Sequence, residues 1–288
     1  MTTSFLLVQL FNGVQYGLLL FLIASGLTLI FGIMGIINLA HGAFYMLGAY
    51  VAYWIAAQTG SLVAAVLLAV PAVAALGYLI ERGLMVPLYD RNHLDQVVLT
   101  YGLILMINEG QRILWGNNVH GVALPALVGF SIPLTDTLSF PVYRIVLAVV
   151  CALVAGGLFL VIQKTRLGMW IRAGASNREM VSALGIDIKM LFAIVFAAGA
   201  ALSGFAGAIV APLSSVYPGM GDPVIVVSFV VVVIGGIGSV KGAFLGALLI
   251  GLADTFGRVL LPDFASLLVY AVMAGILLWR PQGMFARA

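Results

Sequence analysis

The chain has 288 residues, of which 63% are hydrophobic and 8% are charged. Because a soluble domain carries about 25% charged residues, this composition excludes a water-soluble globular protein and predicts a polytopic membrane protein. The formal net charge of +3 reflects lysines and arginines in loops at a membrane face, so it does not indicate a nucleic-acid-binding surface.

Apolar runs of about 20 residues, the length that crosses a bilayer as a helix, recur along the whole sequence. They predict an all-α fold, a helical membrane bundle forming one transmembrane domain over residues 1–288, with about eight or nine spans and short loops. Residues 5–57 contain almost no polar break, so the first boundary can be drawn in more than one way. The predicted spans are 5–31, 36–57, 61–81, 95–114, 142–163, 190–212, 223–240, 243–260 and 264–280.

The first span carries polar residues at roughly helical spacing, namely Gln9, Asn12, Gln15 and Tyr16. Polar groups inside a span usually face the protein interior or a water-filled path. A hydrogen bond to a neighbouring helix and a place on a translocation pathway both explain them. Asn12 and Gln15 are therefore candidate pathway residues.

The next stretch, residues 26–50, places Asn38 and His41 among glycines. This pattern predicts a bend or break where backbone groups face a cavity, and it makes Asn38 and His41 candidate pathway residues. Close helix packing explains the glycines equally well, and a structural hydrogen bond explains His41. The glycines concerned are Gly32, Gly35, Gly42 and Gly48.

Two pairs of opposite charge stand at helical spacing, Glu109 with Arg112 and Asp254 with Arg258. Residues three or four apart are neighbours on a helix surface, so we predict a structural ion pair at each place. Residues 115–141 form the longest segment predicted outside the membrane, and we interpret them as a docking surface or gate.

The longest polar interruption is the basic segment 164–189, with five of the 13 lysines and arginines and two acids. Short basic loops stay in the cytoplasm. If this segment lies inside, alternation of the spans leaves only three cations outside, namely Arg112, Arg144 and Arg258. The excess of cations inside supports this orientation, which also puts the C-terminus inside.

Inside the basic segment the sequence predicts a short helix over 177–184. Ser176 and Glu179 match the S-x-x-E capping box, and Gly185 supplies a left-handed stop. About two turns cannot hold together alone in water, so the helix is interpreted as a part that docks into another protein. A helix on the lipid surface and an ordinary ordered loop remain open. Its predicted apolar side consists of Met180, Val181 and Leu184.

Small residues recur every fourth position in two later spans, a spacing that lets helices approach closely. The stretch 235–242 lacks the G-K-[ST] ending of a phosphate-binding loop, so nucleotide binding is rejected there. The small residues are Ala200, Gly204 and Ala208, then Gly238, Gly242 and Gly246.

Four stretches together resemble the permease subunits of branched-chain amino acid ABC importers, of the LivH type. The likeness covers essentially the whole chain, in the same order and spacing. Related permeases serve urea, short amides or aromatic acids. The stretches are GLTLIFGIMGIINLAHGAFYMLGAY, RAGASNREMVSALGID, VVVVIGGIGSVKGAFLGA and WRPQGMF.

The resemblance implies a permease without enzymatic activity, embedded in bacterial inner-membrane lipid. It implies a second permease subunit, a paralogue of this chain, two ATP-binding subunits that hold the ATP, and an external solute-binding protein. This chain would then hold no cofactor. The family's coupling helix corresponds to residues 175–186, where the common E-A-A opening is replaced by Arg172-Ala173-Gly174-Ala175. The coupling residues carried over are Ala175, Ser176, Glu179, Met180, Val181, Leu184 and Gly185.

Two other classes stay open on the sequence. A secondary transporter working alone would need a buried coupling site, for which Asn38, His41 and Glu109 are a poor set. An intramembrane enzyme would need a paired constellation in mid-membrane, and Asp254 with His41 is a loose candidate. Co-purification with an ATPase separates the importer from both.

Overall fold

The structure is a computed structural model, which describes residues 3–89, 91–135 and 138–285. These residues form eleven α-helices, a π-helical turn, two short 3-10 turns and one β-hairpin. The helices are α1 (Thr3–Met34), α2 (His41–Thr59), α3 (Leu62–Ile80), α4 (His93–Trp115), α5 (Val142–Lys164), α6 (Arg166–Ser176), α7 (Arg178–Ala183), α8 (Ile188–Ser214), α9 (Gly221–Gly235), α10 (Val240–Leu260) and α11 (Ala265–Trp279).

The predicted helical fold is confirmed, and one β-hairpin is added to it. Strands β1 (Ser131–Thr135) and β2 (Leu138–Pro141) pair antiparallel, with a register irregularity between Pro133 and Thr135. A segment that leaves the apolar spans must still satisfy its backbone groups, and here adjacent stretches do so by pairing with each other. The residues between the strands, 136–137, lie outside the described residues.

Each of the nine predicted spans corresponds to one helix. Six helical stretches in the described part of the chain are long and apolar enough to cross a membrane. Helices α2, α4 and α9 are not among them, and α9 has only 15 residues. The six are Ser4–Met34, Leu62–Leu88, Val142–Lys164, Ile188–Ser214, Val240–Leu260 and Pro262–Trp279.

The chain divides into two compact units, which we describe separately. The first unit comprises Met1–Ser25, Leu124–Leu158 and Val227–Ala288, and the second comprises Gly26–Ala123 and Phe159–Val226. Helix α1 therefore contributes residues to both units.

In the second unit, α2, α3 and α8 pack together through small residues. A Cβ atom on Gly48 would lie 2.0 Å from the carbonyl oxygen of Gly204, so only glycine permits the two backbones to touch. Ala208 joins a buried cluster with Ala52 and Ala65. The close packing predicted for Gly204 and Ala208 is confirmed.

In the first unit, α10 begins against the end of α9. A Cβ atom on Gly242 would lie 1.9 Å from the carbonyl oxygen of Gly235, and Phe21 meets Phe244 edge to face at 5.2 Å between ring centroids. Gly238, however, has φ +78° and stands in the turn between these helices. Its predicted part in the small-residue stripe is therefore wrong.

The predicted break after the first span is confirmed. Gly35 has φ +67°, a conformation that glycine adopts without steric cost, and α1 ends immediately before it at Met34. Helix α2 starts only at His41. Asn38 therefore lies in irregular backbone between two helices of the second unit.

Candidate functional site

The basic segment 164–189 forms two helices, α6 and α7, and the first residues of α8. Its first turn is fixed by Thr165, whose hydroxyl accepts the Gly168 N–H at 3.2 Å and donates to the Val161 carbonyl at 2.6 Å. The Arg172 guanidinium donates to the Ile162 carbonyl near the end of α5. A cation on the last carbonyls of a helix also favours the helix dipole, so α6 is held against α5.

Helix α6 buries one face, formed by Gly168, Ile171 and Gly174 at intervals of three residues. A Cβ atom on Gly174 would lie 3.1 Å from Ile33 Cδ1, which places α6 directly on the last turn of α1. Ala175, on the other side, is exposed. The segment is therefore a packed element of the second unit.

The predicted cap of the short helix is wrong by one residue. Ser176 is the last residue of α6, and Asn177 caps α7 by accepting the Met180 N–H at 2.9 Å. Asn and Ser are similarly good N-caps, and the extended backbone of Asn177, at φ −152° and ψ 102°, decides between them. Glu179 remains in the first turn, where a negative charge is favourable.

The predicted stop at Gly185 is confirmed. Gly185 has φ +83°, and its N–H donates to the Ser182 carbonyl at 2.9 Å. The Ile186 N–H donates to the Val181 carbonyl at 3.3 Å. These two bonds form a Schellman motif, so α7 is capped within the chain at its C-terminal end as well as at Asn177.

The predicted apolar side of α7 is split between the interior and the surface. Val181 is 3% exposed and belongs to the core of this chain, whereas Met180 is 59% and Leu184 73% exposed. Met180 and Leu184 are four residues apart and share a face. Placing Val181 in the same outward face was wrong, because one residue along a helix turns the side chain by about 100°.

Arg178 is exposed, and its guanidinium also contacts α8. Its guanidinium carbon lies 5.6 Å from the ring centroid of Phe192, a buried residue of α8. This cation–π contact attaches α7 to α8. A substitution of Arg178 would therefore also remove this contact with α8.

At the break between α1 and α2, Asn38 is fully buried, and neither amide atom of its side chain has a hydrogen-bond partner among the described residues. His41 is also fully buried. A Cβ atom on Gly26 would lie 2.9 Å from His41 Cε1, and the His41 carbonyl accepts the Ser203 hydroxyl at 2.8 Å. His41 thus sits in a helix-packing contact, and no sequence pattern pointed to Ser203, which is 162 residues away.

The other two candidate pathway residues belong to the first unit. The side-chain oxygen of Asn12 accepts a hydrogen bond from Arg144 at 3.0 Å, so Asn12 links α1 to α5. Gln15 is buried one turn further along α1. The Arg144 contact joins residues 132 apart in sequence, which is why spacing did not reveal it.

Both predicted ion pairs are present. Arg112 lies 2.8 Å from Glu109, and the Arg258 guanidinium contacts the Asp254 carboxylate with two hydrogen bonds of 2.8 and 3.1 Å. Each pair lies within one helix, so each is satisfied locally, as their spacing predicted.

Six apolar helical stretches and a basic, capped segment between two of them define a multi-pass helical membrane protein. The model of the family described as "Branched-chain amino acid transport system / permease component" matches residues 9–277. The chain belongs to this family.

Three relatives show how far the similarity extends. The high-affinity branched-chain amino acid transport system permease protein BraD of Pseudomonas aeruginosa is 33% identical over 98% of this chain and 96% of that protein. The corresponding protein LivH of Escherichia coli K12 is 31% identical over the same shares. LivM of Escherichia coli K12 is 26% identical over 91% of this chain and 67% of that protein. No solved structure matches the chain.

Proposed function

We propose that this chain is the membrane permease subunit of an ATP-driven importer of branched-chain amino acids. The observation that carries the proposal is the near full-length similarity to BraD and LivH, whose names state this transport system. The split surface of α7 supports it independently, because Met180 and Leu184 are exposed apolar side chains on a helix outside the candidate spans.

In the proposed orientation, the basic segment and the C-terminus lie on the cytoplasmic side of a bacterial inner membrane. The positive-inside rule supports this placement. Helices α2, α4 and α9 bring the six apolar stretches to nine spans in one permease domain, although they are shorter or less apolar than the other six.

The partners follow from the proposed role. Two ATP-binding subunits hold the ATP, an external solute-binding protein delivers the amino acid, and a second permease completes the translocation path. Similarity to both LivH and LivM supports a pair of paralogous permeases. This chain then needs no cofactor of its own.

The mechanism we propose is alternating access driven through α7. Met180 and Leu184 would insert into a groove of an ATP-binding subunit, flanked by the exposed residues Ala175, Ser176 and Glu179. Gly185 would limit the helix to its length. Because Arg178 of α7 contacts Phe192 of α8, closure of the ATPase pair would move α8 and with it the spans.

Asn12, Gln15, Asn38 and His41 are the proposed pathway residues. Asn38 has the best support, because a buried amide without partners costs about 1–3 kcal/mol and is not needed to end α1. Neutral hydrogen-bonding groups suit a zwitterionic amino acid, which a strong charge would hold too tightly to release.

The proposal is tested by purifying the affinity-tagged chain from its own host membranes and identifying the subunits that accompany it. Vesicles containing the complex should take up labelled leucine, isoleucine or valine when ATP is supplied to the ATP-binding subunits. Uptake of urea, short amides or aromatic acids instead would keep the importer and change its solute. Uptake by the chain alone, without ATP, would indicate a secondary transporter and contradict the proposal.

A further inference from the structure

Helix α3 does not simply end at the membrane boundary but continues into a π-helical turn, Glu81–Met85, and a 3-10 turn, Val86–Leu88. The Glu81 side chain has no exposed surface. A buried carboxylate is expensive beside a membrane, and π-helical turns frequently occur at functional sites. A buried carboxylate in a π-helical turn therefore indicates that Glu81 has a function that an apolar side chain at this position could not perform.

The Glu81 carboxylate fixes the orientation of Tyr89. The Tyr89 hydroxyl donates a hydrogen bond to Glu81, and Arg82 Nε lies 3.9 Å from the other carboxylate oxygen. Burial, followed by the neighbouring carboxylate, raises the pKa of Tyr89, so the phenol remains protonated and keeps donating. A side-chain amide of α4 also holds this turn, since Gln96 donates to the Leu88 carbonyl at 2.9 Å.

Tyr89 in turn contacts the residue on which α7 rests. Its ring meets Phe192 edge to face, with centroids 5.3 Å apart and an interplanar angle of 89°. The guanidinium carbon of Arg178, in α7, lies 5.6 Å from the centroid of the same Phe192 ring. A second link runs from Arg82 to the Met190 sulfur at 3.2 Å. Two contacts thus join residues 81–89 to the start of α8.

We propose that Glu81 and Tyr89 are positioning residues for coupling, which orient Phe192 and, through Arg178, the exposed face of α7. The inference rests on the proposed function. Glu81 is buried, so it acts only through its neighbours. The hydrogen bond gives the Tyr89 ring one orientation, and the edge-to-face contact holds that ring against Phe192 of α8. Motion of α7 would therefore reach α3 through residues 81–89 as well as α8 directly.

The test uses the complete complex in vesicles and measures both leucine uptake and ATP hydrolysis. Tyr89→Phe removes only the hydroxyl, and Glu81→Leu removes the acceptor. Each variant should lower the ratio of leucine imported to ATP hydrolysed by about tenfold, the shift expected when one hydrogen bond to a charged group is lost. Glu81→Gln retains an acceptor for the hydroxyl and should restore most of the ratio. Tyr101→Phe, on the exposed face of α4, is the matched control and should leave the ratio unchanged.

A double variant separates positioning from simple stability. Replacing both partners of a buried hydrogen bond by apolar groups can be nearly neutral for stability, so Glu81→Leu with Tyr89→Phe should recover yield and melting temperature. Because the fixed orientation of Tyr89 is lost, its transport ratio should stay low. A double variant that recovers the ratio together with the yield, or a Tyr89→Phe variant with a normal ratio, overturns the inference. A wild-type complex that imports no branched-chain amino acid overturns the proposed function, and the inference with it.

Discussion

The basic segment 164–189 and the break 35–40 both interrupt apolar helices, yet the first leaves apolar side chains exposed and the second buries a polar one. On α7 the backbone ends are capped within the chain, while Met180 and Leu184 are exposed. At the break, Asn38 is enclosed with its amide unpartnered among the described residues.

The exposed apolar side chains and the buried polar group point to two different kinds of function. Exposed apolar side chains on a self-sufficient helix are explained by a partner protein that covers them. A buried polar group without a partner is explained by an internal role, because nearly all such groups in folded proteins are hydrogen-bonded. The predictions below test whether these two regions act in these two ways.

The largest effect is expected for Val181→Asp. This change places an unpaired charge in the core of the chain, where such a charge costs about 3–5 kcal/mol. We expect loss of folded protein from the membrane, measured as the yield of monodisperse chain after detergent extraction. A normal yield would mean that Val181 is exposed to a partner, as the sequence alone had suggested.

Leu184→Asp should instead leave folding intact and break assembly. Leu184 is 73% exposed, so the charge remains in water until an ATP-binding subunit covers it. We expect normal yield with loss of most co-purifying ATP-binding subunit, quantified on gels of the tagged complex. Ser182→Asp is the control, since it lies about 200° around the helix from Met180 and should keep the subunit. Equal retention in both variants would contradict the docking role of α7.

Asn38→Leu and His41→Ala test whether the buried polar residues at the break between α1 and α2 have an internal role in transport. Removing an unsatisfied amide should leave stability unchanged or raise it by about 1 kcal/mol, while uptake falls if Asn38 contacts the solute. Replacing His41 should lower the melting temperature, because it opens a cavity beside Gly26. Measuring the melting temperature and solute uptake of each variant distinguishes a transport role from a packing role. Normal uptake in a stable Asn38→Leu complex would remove Asn38 from the pathway.

Local signals in the sequence were sufficient for much of this molecule. Glycines predicted a break within 26–50 and a stop at Gly185, and spacing predicted the two ion pairs, because each depends on residues within a few positions. Long-range contacts were out of reach. The burial of Val181 and the chain from Arg178 to Phe192 to Tyr89 depend on how α7, α8 and residues 81–89 pack in space.

The smallest effect concerns the cap of α7, where two adjacent residues competed in the sequence. Asn177 accepts the Met180 N–H, whereas Ser176 closes α6. Asn177→Ala should therefore lower the free energy of unfolding by about 1 kcal/mol, and Ser176→Ala should change it by much less. Since α7 has only six residues, part of the loss should appear as local fraying, measured by faster amide hydrogen exchange at 178–183 in the Asn177 variant. Faster exchange in the Ser176 variant alone would restore the capping box and shift the start of α7 by one residue.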